Sequence, residues 1–252
     1  MPRPARLVLL VAAAALPALA MAAPVSTPVP VPATFERVAS RGDFDVEVKE
    51  GSPASIEIVA EPEWAGRIEV EVSGKELRLS RKRDFDSARG VVVKVVVPTF
   101  RALSVSGSGR GTAESGASPR DVALSVSGSG ELAWKGTAAA LDLAVSGSGE
   151  LEAACEAGPV KAAISGSGEM KLTGKGESLK AAVSGSGELD AKGFPVRDAT
   201  VSIAGSGDVA VRLSGGTLTA QVAGSGDVNW WGEGKVGAVA TAGSGRVRQR
   251  RD

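Results

Sequence analysis

The sequence predicts an all-β, single-stranded β-helix, a β-solenoid with rungs of about 19 residues, and three observations carry that prediction. First, a Gly-Ser-Gly phrase begins at Gly107, Gly128, Gly147, Gly166, Gly185, Gly205, Gly224 and Gly243, at intervals of 21, 19, 19, 19, 20, 19 and 19 residues. Fixed-period self-similarity of this kind marks a stacked repeat. Second, apolar residues alternate with polar ones at period two on both sides of each phrase, which is the pattern of half-buried strands. Third, each period carries two or more glycines and its apolar residues sit two apart, whereas a helical repeat needs spacings of three and four.

Composition narrows the function before any motif is read. The chain has 252 residues, 43% of them hydrophobic, but aromatics are only 4% and Tyr is absent. A core of Val, Ala and Leu must be narrow, because small side chains fill only a thin interior at native density. Lys plus Arg and Asp plus Glu are both 29, so net charge gives no case for nucleic acid. With no His and one Cys, His-based metal sites, Ser-His-Asp triads, Cys-His dyads and internal disulfides are all excluded.

Residues 1–22 read as an export signal, with Arg3 and Arg6, an apolar run from Leu7 to Leu16, Pro17, and small-x-small cleavage sites at Ala18-Leu19-Ala20 or Ala20-Met21-Ala22. The run is too short to span a bilayer. The mature chain is therefore expected in the periplasm or outside the cell, and not membrane-spanning once the signal is cleaved. Residues 23–34, with Pro24, Pro28, Pro30 and Pro32, read as an extended tether. The folded body follows over 35–252: N-terminal strands and a cap at 35–103, then the Gly-Ser-Gly rungs at 104–252.

Within 35–103, Phe44, Val46 and Val48 alternate with acids and Lys49, and Ile56/Ile58, Ile68/Val70/Val72 and Leu77/Leu79 repeat the pattern. These are half-buried strands. Glu61 to Gly66 reads as a turn or a single helical turn, with Trp64 over an end of the core. Val91 to Val97 is nearly continuous and should be buried on most of its faces until Pro98 stops it. Arg81-Lys82-Arg83 reads as a solvated loop. Arg41-Gly42-Asp43 spells an adhesive tripeptide, but Gly-Asp before a strand is ordinary turn chemistry.

Aligned on Gly-Ser-Gly, the rungs fall into register. Two residues before the first Gly stand Val105, Val126, Val145, Ile164, Val183, Ile203, Val222 and Thr241; two after the last stand Leu132, Leu151, Met170, Leu189, Val209, Val228 and Val247, with Gly111 departing in the first copy. The phrase is thus a sharp corner between two strands whose apolar residues point inward. A second corner is expected six residues on, at Gly136, Gly174, Gly193 and Gly232, with Cys155 and Leu213 in that place elsewhere. The middle serines, Ser108 to Ser244, are expected to stack and hydrogen-bond along their column.

Phe35-Glu36-Arg37-Val38, Gly42-Asp43-Phe44-Asp45-Val46-Glu47-Val48, Val95-Val96-Val97-Pro98 and Leu103-Ser104-Val105-Ser106-Gly107-Ser108-Gly109, with the recurring Gly-Ser-Gly-Asp/Glu phrases, together resemble the putative auto-transporter adhesin head GIN domain family of exported bacterial proteins. The resemblance covers nearly everything after the tether. It implies a right-handed β-helix and no established activity. The sequence shows no pattern of a C-terminal membrane barrel, so it does not look like a complete auto-transporter.

Candidate chemistry lies just after the phrase, at Glu131, Glu150, Glu169, Glu188, Asp208 and Asp227, with Arg110 and Arg246 at the ends of the series. Stacked about 5 Å apart, neighbouring carboxylates repel by roughly 0.8 kcal/mol in water and about 3 kcal/mol at an effective dielectric of 20. One expectation is a Ca²⁺-binding column, since hard oxygen ligands suit that ion; the other is a row of acids at a solvated corner. No other cofactor is expected. Gly-Ser-Gly fails as a phosphate cradle, because no helix follows and an acid stands where phosphate would sit. Cys155 reads as a free thiol in preference to an intermolecular bridge. Trp230 shares the offset of Trp134 and should fill the core, leaving Trp231 outside as a cap rather than as a sugar platform. The basic tail Arg246 to Arg251 either meets anionic polymers or, the preferred reading, charges an open β-end against end-to-end stacking.

The function these readings favour is a non-enzymatic envelope protein that presents a rigid surface to a ligand, a glycan or envelope polymer. The alternative is a carbohydrate-active enzyme, lyase or hydrolase, whose paired acids and aromatics would converge in one groove.

Overall fold

The computed structural model describes residues 24–31, 34–116 and 120–251; the export signal read at 1–22 lies outside the described residues. In chain order the elements are β1 (Val25–Val29), β2 (Arg37–Gly42), β3 (Asp45–Glu50), β4 (Ser55–Ala60), α1 (Pro62–Ala65), β5 (Ile68–Ser73), β6 (Glu76–Arg81) and β7 (Val92–Val97). There follow β8 (Ala102–Gly107), β9 (Arg110–Glu114), β10 (Arg120–Gly128), β11 (Glu131–Gly147), β12 (Glu150–Gly166) and β13 (Glu169–Gly185). The last five are β14 (Glu188–Val196), β15 (Asp198–Gly205), β16 (Asp208–Gly224), β17 (Asp227–Gly243) and β18 (Arg246–Gln249). Stacked coils of about 19 residues form a solenoid of about eight turns.

Each coil has a leading side that runs into a Gly-Ser-Gly corner and a trailing side that runs out of it. All coils stack in parallel, and the corner glycines align without a break: Gly107, Gly128, Gly147, Gly166, Gly185, Gly205, Gly224 and Gly243 are partners in succession. Register follows from the period-two pattern, since a one-residue slip would turn every inward side chain outward. The inward positions are buried as the alignment requires, including Val126, Val145, Ile164, Val183 and Ile203 on the leading side and Leu132, Leu151, Met170, Leu189 and Val209 on the trailing side. Each such side chain contributes about 1.5–3 kcal/mol by leaving water. The 20-residue interval is absorbed by a register shift between Ala191 and Pro195, where Phe194 adds a fully buried ring.

The corner glycines meet two different demands. Gly147 has φ of +111°, a region that side chains rarely adopt, while Gly149 needs no unusual dihedral but lies where a Cβ would come within 2.5 Å of the Gly130 carbonyl oxygen. The expected serine column is corrected here: the bonds along this corner are made by backbone, with the Ser148 N–H on the Gly128 carbonyl at 2.9 Å and the Ser167 N–H on that of Gly147 at 2.9 Å. The serine side chains are exposed, where water satisfies a hydroxyl as well as a neighbour would.

The region before the first Gly-Ser-Gly is itself part of the solenoid. β2 pairs in parallel with β8, aligning Gly42 with Gly107, and β3 pairs in parallel with β9. Arg37 to Glu50 is therefore a coil in its own right, with Gly42-Asp43-Phe44 at its corner. The chain then leaves to build an end cap and returns as β8 on the far face of that coil. In the cap, β6 pairs in parallel with β2 and antiparallel with β5, and β7 pairs in parallel with β3 and antiparallel with β4. The valine run of β7 buries Val93, Val95 and Val97, exposes Lys94 and leaves Val92 and Val96 half-buried, so it is more one-sided than its composition implies.

The stretch 23–34, expected as a tether, contributes β1, which lies antiparallel along β4. β4 would otherwise expose a row of unpaired backbone groups, and Pro28 is compatible with β1 because an edge strand does not need every N–H. No described helix is long and apolar enough to cross a membrane.

Candidate binding surface

Two features follow the long axis of the rod, the acid column at the Gly-Ser-Gly corner and a groove over the second corner. In the column, Glu131, Glu150, Glu169 and Glu188 are partners in successive coils, and Asp208 follows Glu188. Asp227 stands above Asp208 and beneath Arg246. The four glutamates and Asp208 are exposed and Asp227 is half-buried. Arg110, beneath the series, pairs with Glu131 at 2.6 Å, and its own N–H is bonded to Asp45 Oδ1 at 3.0 Å. Asp45 thus begins the column one coil earlier than the repeat phrase reveals.

Glutamate and aspartate do different work in this column. At the glutamate coils the N–H is accepted by the second glycine of the coil below, as for Glu150 on the Gly130 carbonyl at 3.0 Å. Above an aspartate the N–H turns to the carboxylate instead: Asp227 N–H to Asp208 Oδ1 at 2.8 Å, and Arg246 N–H to Asp227 Oδ1 at 2.9 Å. The short side chain reaches the next coil's backbone, and the longer one extends into solvent. Among the described residues, no three carboxylates or thiols are grouped to hold a metal ion.

The groove lies over the second corner, where small residues alternate with threonine and charged side chains. One hollow of about 580 Å³ is bounded by Glu114, Lys135, Glu156 and Thr173 and has Cys155 among its lining residues. A second, of about 710 Å³, shares Thr137 and Glu156 with the first and continues past Lys175 to Pro195 and Ser214. The two cross six coils, from Glu114 to Ser214, about 24 Å at the inter-strand spacing. Glu156 and Lys175 close an ion pair of 3.1 Å across neighbouring coils. At the expected second corner, Gly174 needs φ of +114° and a Cβ there would strike the Cys155 carbonyl oxygen at 1.9 Å.

Cys155 is a free, buried thiol, and burial pushes its pKa up to about 12. That position does not suit an intermolecular bridge. Trp134 and Trp230 are core residues, as their shared offset predicts, and Trp134 Nε1 donates to Ser115 Oγ at 3.2 Å. Trp231 lies half-buried outside, with Lys192 Nζ 4.8 Å from its ring. Asp43 of the adhesive-looking tripeptide accepts bonds from Ser87 Oγ at 2.6 Å and from the Ala88 N–H at 3.0 Å. It ties the first coil to the cap.

Sequence reasoning missed the groove, the first coil and Asp45. The second corner beneath the groove was marked by Gly136, Cys155 and Gly174, but the hollow itself had no signal, because it depends on which neighbouring side chains leave space unfilled. The first coil did have one: Gly42-Asp43-Phe44-Asp45 can be superposed on Gly107-Ser108-Gly109-Arg110, with glycine at the same place and alternating residues on either side.

The model of the family described as "Putative auto-transporter adhesin, head GIN domain" matches residues 34–234. Solved structures with similar folds include a putative adhesin from Parabacteroides merdae, 20% identical with a TM-score of 0.83 over 90% of this chain and 96% of that one. A putative adhesin from Parabacteroides distasonis is 21% identical, with a TM-score of 0.79 over 91% and 98%. A putative lipid binding protein from the same species is 20% identical, with a TM-score of 0.79 over 90% and 97%. No curated protein matches the chain.

Proposed function

The chain belongs to the putative auto-transporter adhesin, head GIN domain family, and from that premise we propose that it is a non-enzymatic, exported envelope protein that holds a linear glycan or similar envelope polymer along its groove. The observation that supports this reading is the continuity of the groove across six coils, walled by Glu114, Lys135, Glu156 and Lys175. A rigid solenoid presents such a surface with little ordering cost on binding. An extended polymer matches a groove that runs along the rod, and its hydroxyls match a wall of charged side chains and threonines.

The acid column is the second surface feature, and its role in this reading is a solvated edge. Ca²⁺ takes six to eight oxygens, and the column offers one carboxylate per coil, with Asp208 and Asp227 already bonded to backbone. Added Ca²⁺ should leave the melting temperature unchanged; a rise of several degrees would make the column a metal site. The groove is tested by glycan array and envelope pull-down, with the wild type against Ala157→Trp, which fills the hollow. Retention by the wild type and its loss in the variant is the expected result. Equal retention by both would remove the groove from the function, and release of new reducing ends from a bound glycan would return the enzyme reading.

A further inference from the structure

The large hydrophobic side chains that stand exposed among the described residues are Val25, Val236 and Val239, at 49%, 47% and 43%. All three lie at the two ends of the rod. At the C-terminal end, Val236 and Val239 continue the inward columns of Leu218 and Ala220, which are fully buried, but no described coil covers them. The second half of β17 pairs with β16 on one edge and has no described strand on the other. The terminal coils also carry Lys235, Arg246, Arg248, Arg250 and Arg251 against two acids, exposed Glu233 and half-buried Asp227, the latter 3.9 Å from Arg248.

At the N-terminal end the outermost strand presents carboxylates, with Arg78 of β6 standing opposite Glu71. The leading side terminates on β5, whose strand partner is β6 alone among the described elements. Along β5, exposed Glu69 and Glu71 alternate with half-buried Val70 and Val72, and exposed Glu63 stands nearby on α1. The trailing side terminates on β1, which carries Val25. One end thus joins an apolar edge to coils with an excess of cations, and the other presents an outermost strand that carries carboxylates. Open edges of this kind are templates for pairing with another chain.

We propose that the protein assembles head to tail, the C-terminal coil of one copy seating on the N-terminal cap of the next. β5 runs against the leading strands, so it pairs antiparallel with β17 of the neighbouring copy. β1 runs with the trailing strands, so it extends the parallel stack from β18. The basic tail then does less than forbid all end contacts: it opposes joining two C-terminal ends, where arginines would face arginines, and favours joining unlike ends. A contact between unlike ends does not close on itself and propagates as a filament. The groove and the acid column lie along the sides and remain free in such a filament.

Sedimentation velocity of the purified protein over a concentration series, at low and at high salt, tests the proposal, with negative-stain microscopy of the same samples. The expected result is an open-ended series of species that grows with concentration and shrinks as salt screens the end charges. Arg250→Glu with Arg251→Glu should weaken association at least tenfold, and so should Glu69→Lys with Glu71→Lys. An equimolar mixture of the two reversed proteins should recover assembly, because each acidic end then meets a basic one. Val239→Lys, at an already exposed site, supplies a folded control with the same loss. A monomer at every concentration, a closed dimer, or filaments indifferent to both charge reversals would overturn the proposal.

Discussion

Ser148 and Gly149 are neighbours in one corner, yet their substitutions should have very different consequences. A Cβ on Gly149 would meet the Gly130 carbonyl oxygen and Val126 Cγ1, both at 2.5 Å. The oxygen belongs to the stacked backbone and cannot move without spreading two coils. Gly149→Ala should therefore cost about 2–3 kcal/mol in denaturant unfolding, the upper part of the range for overpacking. Ser148→Ala should change stability by less than about 0.5 kcal/mol, since the bond along the corner uses the backbone N–H. Cys155 offers a second test. Its buried thiol, with a pKa pushed up to about 12, should resist Ellman's reagent in the native protein and react once the chain is unfolded. Because the unfolded thiol ionises near 8.5, the unfolded state loses its proton first as pH rises. Wild-type stability should thus fall between about pH 8.5 and 12 by more than that of Cys155→Ala.

At the scale of elements, the first coil and the cap hold each other through a few polar contacts. Burial works against the charge on Asp43, but the bonds from Ser87 Oγ and the Ala88 N–H, helped by Arg81, outweigh it and hold the carboxyl below its usual range. A depressed carboxyl stabilises the fold above the ordinary aspartate pKa of about 3.9 and loses that contribution as pH falls through the lower folded value. Asp43→Ala should be less stable by about 1 kcal/mol at neutral pH, a figure kept small by the partial exposure of the carboxylate. The difference from wild type should shrink as pH falls below the ordinary aspartate range and the carboxylate takes up its proton, as a stability titration would record. Along the rod, Lys161 with Asp142, Lys171 with Glu152 and Lys175 with Glu156 pair between coils at 3.7, 3.5 and 3.1 Å. These exposed pairs add little stability each; by matching opposite charges in register, they disfavour slipped stacking.

Across the whole molecule, each coil touches chiefly its two neighbours, so stability is a sum of interfaces along one dimension. The coils from β11 to β16 have a neighbour on both faces, whereas the second half of β17 has one. Native-state hydrogen exchange of dilute protein at high salt should show protection highest in β12 and β13 and lowest over Lys235 to Gly243. Uniform protection to the end of β17 would mean that the terminal coil is covered. Under assembling conditions the same amides should gain protection, which links this gradient to the end contact.

What was legible in the sequence followed from local geometry repeated many times. Gly-Ser-Gly at a fixed period requires a tight corner stacked on itself, and alternation around it dictates which side chains face inward; each coil is read from its own residues and checked by the next. The inward places of Trp134 and Trp230 and the row from Glu131 to Asp227 come from that alignment alone. The tertiary structure decided what depends on residues far apart or on space left unfilled. Only it shows that Arg37 to Glu50 is the first coil, because the strands that flank β2 and β3 on the far side arrive after a cap has been built in between. Only it shows that aspartates in the column accept the next coil's N–H, a matter of side-chain reach. The hollow above the second corner and the two apolar ends likewise needed the tertiary structure, since a hollow or an open edge is defined by which neighbours are missing.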